Sequence, residues 1–436
     1  MPDTMPHANS APTEAAPQGK GLARAFRGAP GPRGTAALLT LVVGGVLVLT
    51  LTPRSGSGIP RDQSLCLLCG RSGTANLVRN VLLFVPVGAA FALRWGPGIP
   101  AVLAAVALTV GIETAQIFIP GRSSLPVDVA ANAAGGLVGV ALVRWGAWWD
   151  RLSRRGGALA SLAWAVAVAG SVPVVAALFQ PDLPQTDYWG QWTPRLGDLE
   201  VYEGRVLETR LGNRPLPSAR LSGSPEIRRA LLDDAPLQVR AELAPPPPGP
   251  TPIFSLHDEG EREVALLGVE GEDLVWRLRY RANALGLQRP DVRWPNALAE
   301  REQGDTVQLA VTGTPGPPCL HVDGERRCGL GPRFQEGWSL LLFTAGGAPA
   351  LRRGLDALWV ALLFLPFGLL ARLHPASMMG AVVLGVALAG AGWLPGLAPT
   401  GGWGSVGGGV GAAVGVGLQR RRGTARPLGT QSARPP

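Results

Sequence analysis

Long apolar runs crowd both ends of this chain, and they restrict its fold more than any other feature. A helix makes all of its backbone hydrogen bonds internally, so about 18 to 20 apolar residues of helix can cross a bilayer core where no water is available. Five such runs precede a polar middle: Ala36 to Leu51, Ala75 to Leu93, Ile99 to Ile119, Val127 to Trp145 and Ala158 to Phe179. Leu355 to Leu373, Met378 to Trp393 and the glycine-rich Trp403 to Leu418 follow it. The expected fold class is mixed: a polytopic α-helical membrane bundle of about eight spans that carries one extracytoplasmic all-β sandwich. Residues 1–34, rich in Pro, Ala and Gly, are expected to be a disordered cytoplasmic tail, 35–179 a membrane domain of five helices and 180–350 the sandwich. Residues 351–420 supply three more helices and 421–436 a second cytoplasmic tail.

Orientation follows from arginine, because basic short loops stay in the cytoplasm. Arg24, Arg27 and Arg33 start inside; by counting spans, so do Arg144, Arg151, Arg154, Arg155, Arg372 and Arg420 to Arg422. Arg352 and Arg353 run against the rule, but they flank the large domain, where it is weak. The expected location is therefore a bacterial cytoplasmic membrane, with both termini inside and the sandwich outside. A net charge of +9 does not point to nucleic acid: Lys20 is the single lysine, the arginines gather at helix ends, and aromatic residues are not interleaved with them to stack bases. The expected partner is the lipid bilayer.

Short apolar or alternating stretches mark strands in the middle: Leu237 to Leu243, Ile253 to Leu256, Val264 to Val269, Leu274 to Tyr280, Val307 to Val311 and Trp338 to Phe343. Pro245 to Pro248 reads as a stiff loop, since proline cannot donate to a ladder. The cysteines fall into two close pairs. Asp323-Gly324 is a strong two-residue hairpin signal and would bring Cys319 and Cys328 face to face as a disulfide. Cys66 and Cys69 have a spacing shared by local disulfides, redox pairs and zinc sites; a disulfide is preferred, because no second such pair exists and histidines are scarce. No metal site or cofactor is expected.

Asn80-Val-Leu-Leu-Phe84-Val-Pro86-Val-Gly88, Glu113-Thr-Ala-Gln116, Pro120-Gly-Arg122 and Asp128-Val-Ala-Ala-Asn132-Ala-Ala-Gly135-Gly136 together resemble the VanZ-like membrane family, over about 76–143. The resemblance implies an envelope protein linked to glycopeptide (teicoplanin) resistance. The residues also speak for themselves. Glu113 and Gln116 share one helix face and Asp128 and Asn132 another, near an outer membrane surface that Asn80 also reaches. Polar groups at that depth turn to partners or to a wet cavity, so these residues, with Arg122 as counter-charge to Glu113 or Asp128, are the candidate binding site. Glu113 and Asp128 are the candidate catalytic residues, with Glu113 as acid or base and Arg122 placed to hold an anionic head group. The alternative is interhelical glue, with Asp128 as a helix cap. Leu363-Phe364-Leu365-Pro366-Phe367-Gly368 echoes Leu83 to Gly88, and Val414-Gly415-Val416 echoes Val138 to Val140, which makes 355–420 a candidate second copy stripped of the polar set.

Ile253 to Leu256, Leu266 to Leu278, Val307 to Gly313 and Val322-Asp323-Gly324 resemble concanavalin A-like, laminin-G-type sandwiches. Asp258, Glu259, Asp273 and Asp323 read as hairpin turn residues in preference to calcium or sugar ligands. The leading expectation for function is display of the sandwich to a cell-wall glycan or other surface component. A membrane-embedded enzyme acting on a lipid-linked envelope precursor comes second, with the question of catalysis left open, and a transporter third.

Overall fold

The structure is a computed structural model; it describes residues 31–53, 72–122, 124–149, 151–196, 199–314, 316–342 and 349–424. The expected tails, apart from their inner ends, and Cys66 with Cys69 lie outside the described residues.

Helices α1 (Pro32–Leu51), α2 (Gly73–Trp95), α3 (Ile99–Gln116), α4 (Pro126–Trp149) and α5 (Arg154–Leu178) come first. Their ends follow local chemistry: proline opens α1 and α3, where its missing N–H is unneeded, and the Ser153 hydroxyl accepts from Gly156 N at 3.0 Å to cap α5. The sandwich follows, with β1 (Tyr188–Trp192), β2 (Arg205–Leu211), β3 (Arg214–Pro215), β4 (Arg220–Leu221), α6 (Ser224–Leu232), β5 (Leu237–Glu242), β6 (Thr251–Asp258), β7 (Glu263–Glu270), β8 (Asp273–Leu278), α7 (Arg281–Ala284), β9 (Val292–Trp294), β10 (Thr306–Thr312), β11 (Cys319–Val322) and β12 (Glu325–Arg327). A 3₁₀ helix, Phe334–Leu340, leads back to α8 (Pro349–Leu370), α9 (Pro375–Gly390) and α10 (Gly402–Thr424).

Seven described helices are long and apolar enough to cross a membrane: α1 to α5, α8 and Pro375–Trp393. The eighth expected span is present as the 23-residue α10, but its glycines and terminal arginines hold it below that apolarity. Two groups of helices each have their own core. Phe84, Val87, Phe91, Ile112 and Val140 pack among α1 to α4, whereas Val168, Val360, Phe364, Phe367 and Leu384 pack among α5, α8 and α9.

The sandwich consists of two six-stranded antiparallel sheets, ordered β4-β1-β6-β7-β8-β9 and β12-β11-β10-β5-β2-β3. Five of the six expected strand segments are strands. The sixth is corrected: Trp338 to Leu340 belong to the 3₁₀ helix, because Trp338 is drawn onto α8, donating its indole N–H to Asp356 Oδ1 at 2.8 Å. The Asp323-Gly324 turn folds β12 onto β11, both residues with φ positive, and Cys319 and Cys328 are bridged with their Cα atoms 3.9 Å apart. Asp258 accepts from Gly260 N and Arg262 N, each at 2.9 Å, and Asp323 from Gln308 N and Arg301 Nε, so these acids hold turns together.

The sandwich is built into the helices. Phe179, just after α5, enters its core and meets Tyr280 edge-on at 6.0 Å. Backbone bonds run from Arg281 N to Gln180 O and from Ala75 N, in α2, to Gly286 O.

Candidate functional site

At one end of the first helical group, the first turn of α4 brings Asp128 against one face of α2. Asn76 and Asn80, a helical turn apart, both donate their amides to Asp128 Oδ1, the first at 3.0 Å. Arg79 donates to Asn76 Oδ1, so a guanidinium, two amides and a carboxylate form a chain. Glu113, in the last turn of α3, is buried and accepts from Leu125 N at 3.2 Å. The carbonyl of that same Leu125 accepts from the Asp128 backbone N–H at 2.9 Å, so Leu125, in the α3–α4 connection, is held by the Glu113 carboxylate on one side and by the first turn of α4 on the other.

The other candidate residues sit near this centre without joining it. Asn132, one turn further along α4, donates to Thr109 Oγ1 of α3 at 2.9 Å, and its own Oδ1 is buried without a hydrogen-bond partner among the described residues. Gln116 donates to Thr50 O at 3.0 Å, and Arg122 donates to Leu49 O at 2.7 Å and Thr52 O at 3.0 Å. These are carbonyls at the end of α1, which have no acceptor-seeking N–H of their own helix left to meet them. Arg122, expected to balance Glu113 or Asp128, thus caps a helix, and Arg79 is the basic residue tied into the Asp128 chain. Sequence reading missed Asn76 and Arg79, although Asn76 stands four residues before Asn80, on the same face, and Arg79 three after Asn76, within its reach.

The helices meet closely because glycine lies at each contact. A Cβ added to Gly135 would stand 2.1 Å from Val81 O, one on Gly139 2.1 Å from Val85 O, and one on Gly88 2.0 Å from Gly136 O. The crossing of α8 and α10 repeats this residue for residue: a Cβ added to Gly411 would stand 2.2 Å from Ala361 O, one on Gly415 2.5 Å from Leu365 O and one on Gly368 2.2 Å from Ala412 O. In the same register Gly404 stands where α4 has Asp128, and Asp356 where α2 has Asn76. The space over Gly404 is filled from the sandwich side by Gln335, which accepts from Gly401 N at 2.8 Å and donates to Asp356 Oδ2 at 3.2 Å.

These features define a multi-pass membrane protein with a two-sheet β domain fixed to its helices. Residues 42–148, which hold α2, α3, most of α4 and half of α1, match the model of the VanZ/LLP1 family. No curated protein and no solved structure matches the chain.

Proposed function

We propose that the chain is an envelope protein whose helices form a rigid platform for the sandwich, which recognises a glycan or another component on the outer side of a bacterial cytoplasmic membrane. The supporting observation is the way the two parts are joined: the sandwich core receives Phe179 from α5, and Asp356 of α8 takes hydrogen bonds from Trp338 and Gln335. A domain held so firmly is positioned relative to the bilayer rather than tethered at random. The polar residues of the helical core spend most of their donors on helix ends and on one another, as a platform requires. The family match adds the expectation of a role in glycopeptide resistance.

The test compares two variants of the full chain. Deleting 180–350 should abolish binding to isolated cell envelopes and any change in teicoplanin sensitivity, while Glu113→Gln should preserve both. A second reading, an enzyme acting on a lipid-linked precursor, draws on two buried carboxylates, Glu113 and Asp128, whose residues both bond to Leu125 and which could take acid and base roles. If Glu113→Gln removes the phenotype with the fold intact, the enzyme replaces the platform.

A further inference from the structure

Where the sandwich meets α8 there is a cavity of about 190 Å³, many times the roughly 10–15 Å³ that a single water needs. Its walls come from the Arg289–Arg293 segment, the 3₁₀ helix and the first two turns of α8, and they bring together Arg289, Arg293, Arg333 and Arg352. Three carboxylates also line it, but each is already engaged. Asp291 takes both arms of Arg277, at 2.6 and 3.1 Å, and Arg293 at 3.2 Å. Burial alone would raise its pKa, yet the Arg277 guanidinium holds the carboxyl below its ordinary range. Asp356 serves Trp338 and Gln335, and Glu336 accepts from Arg333 N at 3.1 Å and from its guanidinium at 3.3 Å.

The arginines are engaged too, Arg289 with Glu263, Arg293 with Glu270 and Asp291, and Arg333 with Glu336 and Pro399 O, but two donors of the wall are left over. Arg293 Nε and the Ser339 hydroxyl are buried in it without a hydrogen-bond partner among the described residues. Buried donors are costly unless something accepts from them, and guanidinium groups match the several oxygens of a phosphate better than any neutral ligand. Arg352 and Asp356 belong to the start of α8, a helix long and apolar enough to cross a membrane, so the cavity lies beside that end of the helix.

We propose that this junction cavity binds a phosphate-type anion, carried either on a lipid headgroup or on a soluble phosphate. The site is separate from the recognition surface proposed above and does not depend on it. The experiment uses the full chain in phosphatidylcholine nanodiscs, titrated with inorganic pyrophosphate by calorimetry, and in parallel in nanodiscs doped with phosphatidylglycerol and read by native mass spectrometry. At least one probe should bind, and Arg352→Gln and Ser339→Asp should each weaken it tenfold or more, while the distant, exposed Arg205→Gln leaves it unchanged. Retention of the lipid without pyrophosphate binding identifies a headgroup; pyrophosphate binding in plain phosphatidylcholine identifies a soluble phosphate. A readout that needs no variant accompanies this: the bound probe should protect the arginines of the wall from phenylglyoxal. If neither probe binds, if both folded variants bind as the parent does, or if no protection is seen, the assignment is wrong.

Discussion

Replacing Gly139 by alanine should pry α2 and α4 apart. The new Cβ would stand 2.1 Å from Val85 O and 2.6 Å from Ala89 N, both backbone atoms that cannot rotate away. Comfortable contact lies near 3.5 Å, so the helices must separate by roughly 1 Å. Overpacking of this kind costs about 1–3 kcal/mol, and a clash with backbone belongs at the upper end. Alanine returns up to about 1 kcal/mol through its better helix propensity, leaving a net loss near 2 kcal/mol, or about a thirtyfold shift toward the unfolded state. Because the α8–α10 crossing repeats the geometry, Gly411→Ala should behave alike, at 2.2 Å from Ala361 O. Gly409→Ala, two residues away on the same helix, meets nothing within 4 Å and should be neutral or stabilising. Unfolding of the purified protein in mixed micelles by added SDS, followed by tryptophan fluorescence, measures all three. The reasoning fails if Gly139→Ala matches the parent, or if Gly409→Ala is as damaging as Gly411→Ala.

Cys319→Ser should destabilise the sandwich by roughly 2–3 kcal/mol on the loop-entropy account, and the intact mass of the unreduced parent should show both thiols oxidised. Asp356→Leu strips the acceptor from Trp338 and Gln335, at about 1–3 kcal/mol for each buried donor, and limited proteolysis should then cut at the junction between the sandwich and α8. Burial, with Asp356 nearby, pushes the Glu336 carboxyl up to about 7 against the pull of Arg333. It is thus neutral below that pH and negative above it, facing Arg289, Arg293 and Asp291 from the sandwich and Arg352 and Asp356 from α8. Affinity for sulfate, which does not titrate in this range, should fall several-fold as pH rises from 6 to 8, and a flat profile would remove Glu336 from the site.

The helices were legible because length and apolarity alone decide them, and β5 to β8 and β10 because their apolar runs are bounded by turn residues. The Cys319–Cys328 bridge was legible for a local reason: the Asp323-Gly324 turn fixes the register between them. What escaped depends on distant partners. Trp338 to Leu340 have the composition of a strand, but Asp356, which holds Trp338, lies 18 residues on in a different element, α8. In β2, Arg205-Val-Leu-Glu-Thr-Arg-Leu211 is too charged to stand out as a strand, and β9 is too short. At the candidate site, Asn80 and Asp128, two members of the expected polar set, are hydrogen-bonded to each other. The destination of Arg122 was hidden, because a charge suggests a counter-charge, and only the folded loop places it over the open end of α1.

Recognition at the envelope surface needs the sandwich to lie on the outer side of the membrane. Single cysteines at Ser218, in the sandwich, and Ser153, in the connection between α4 and α5, should be placed in a chain whose Cys66 and Cys69 are serine, then exposed to a membrane-impermeant maleimide in intact spheroplasts. The cysteine at position 218 should label before lysis and the one at position 153 only after it. Labelling at Ser153 in intact spheroplasts, with Ser218 protected until lysis, would put the sandwich in the cytoplasm and contradict the recognition role.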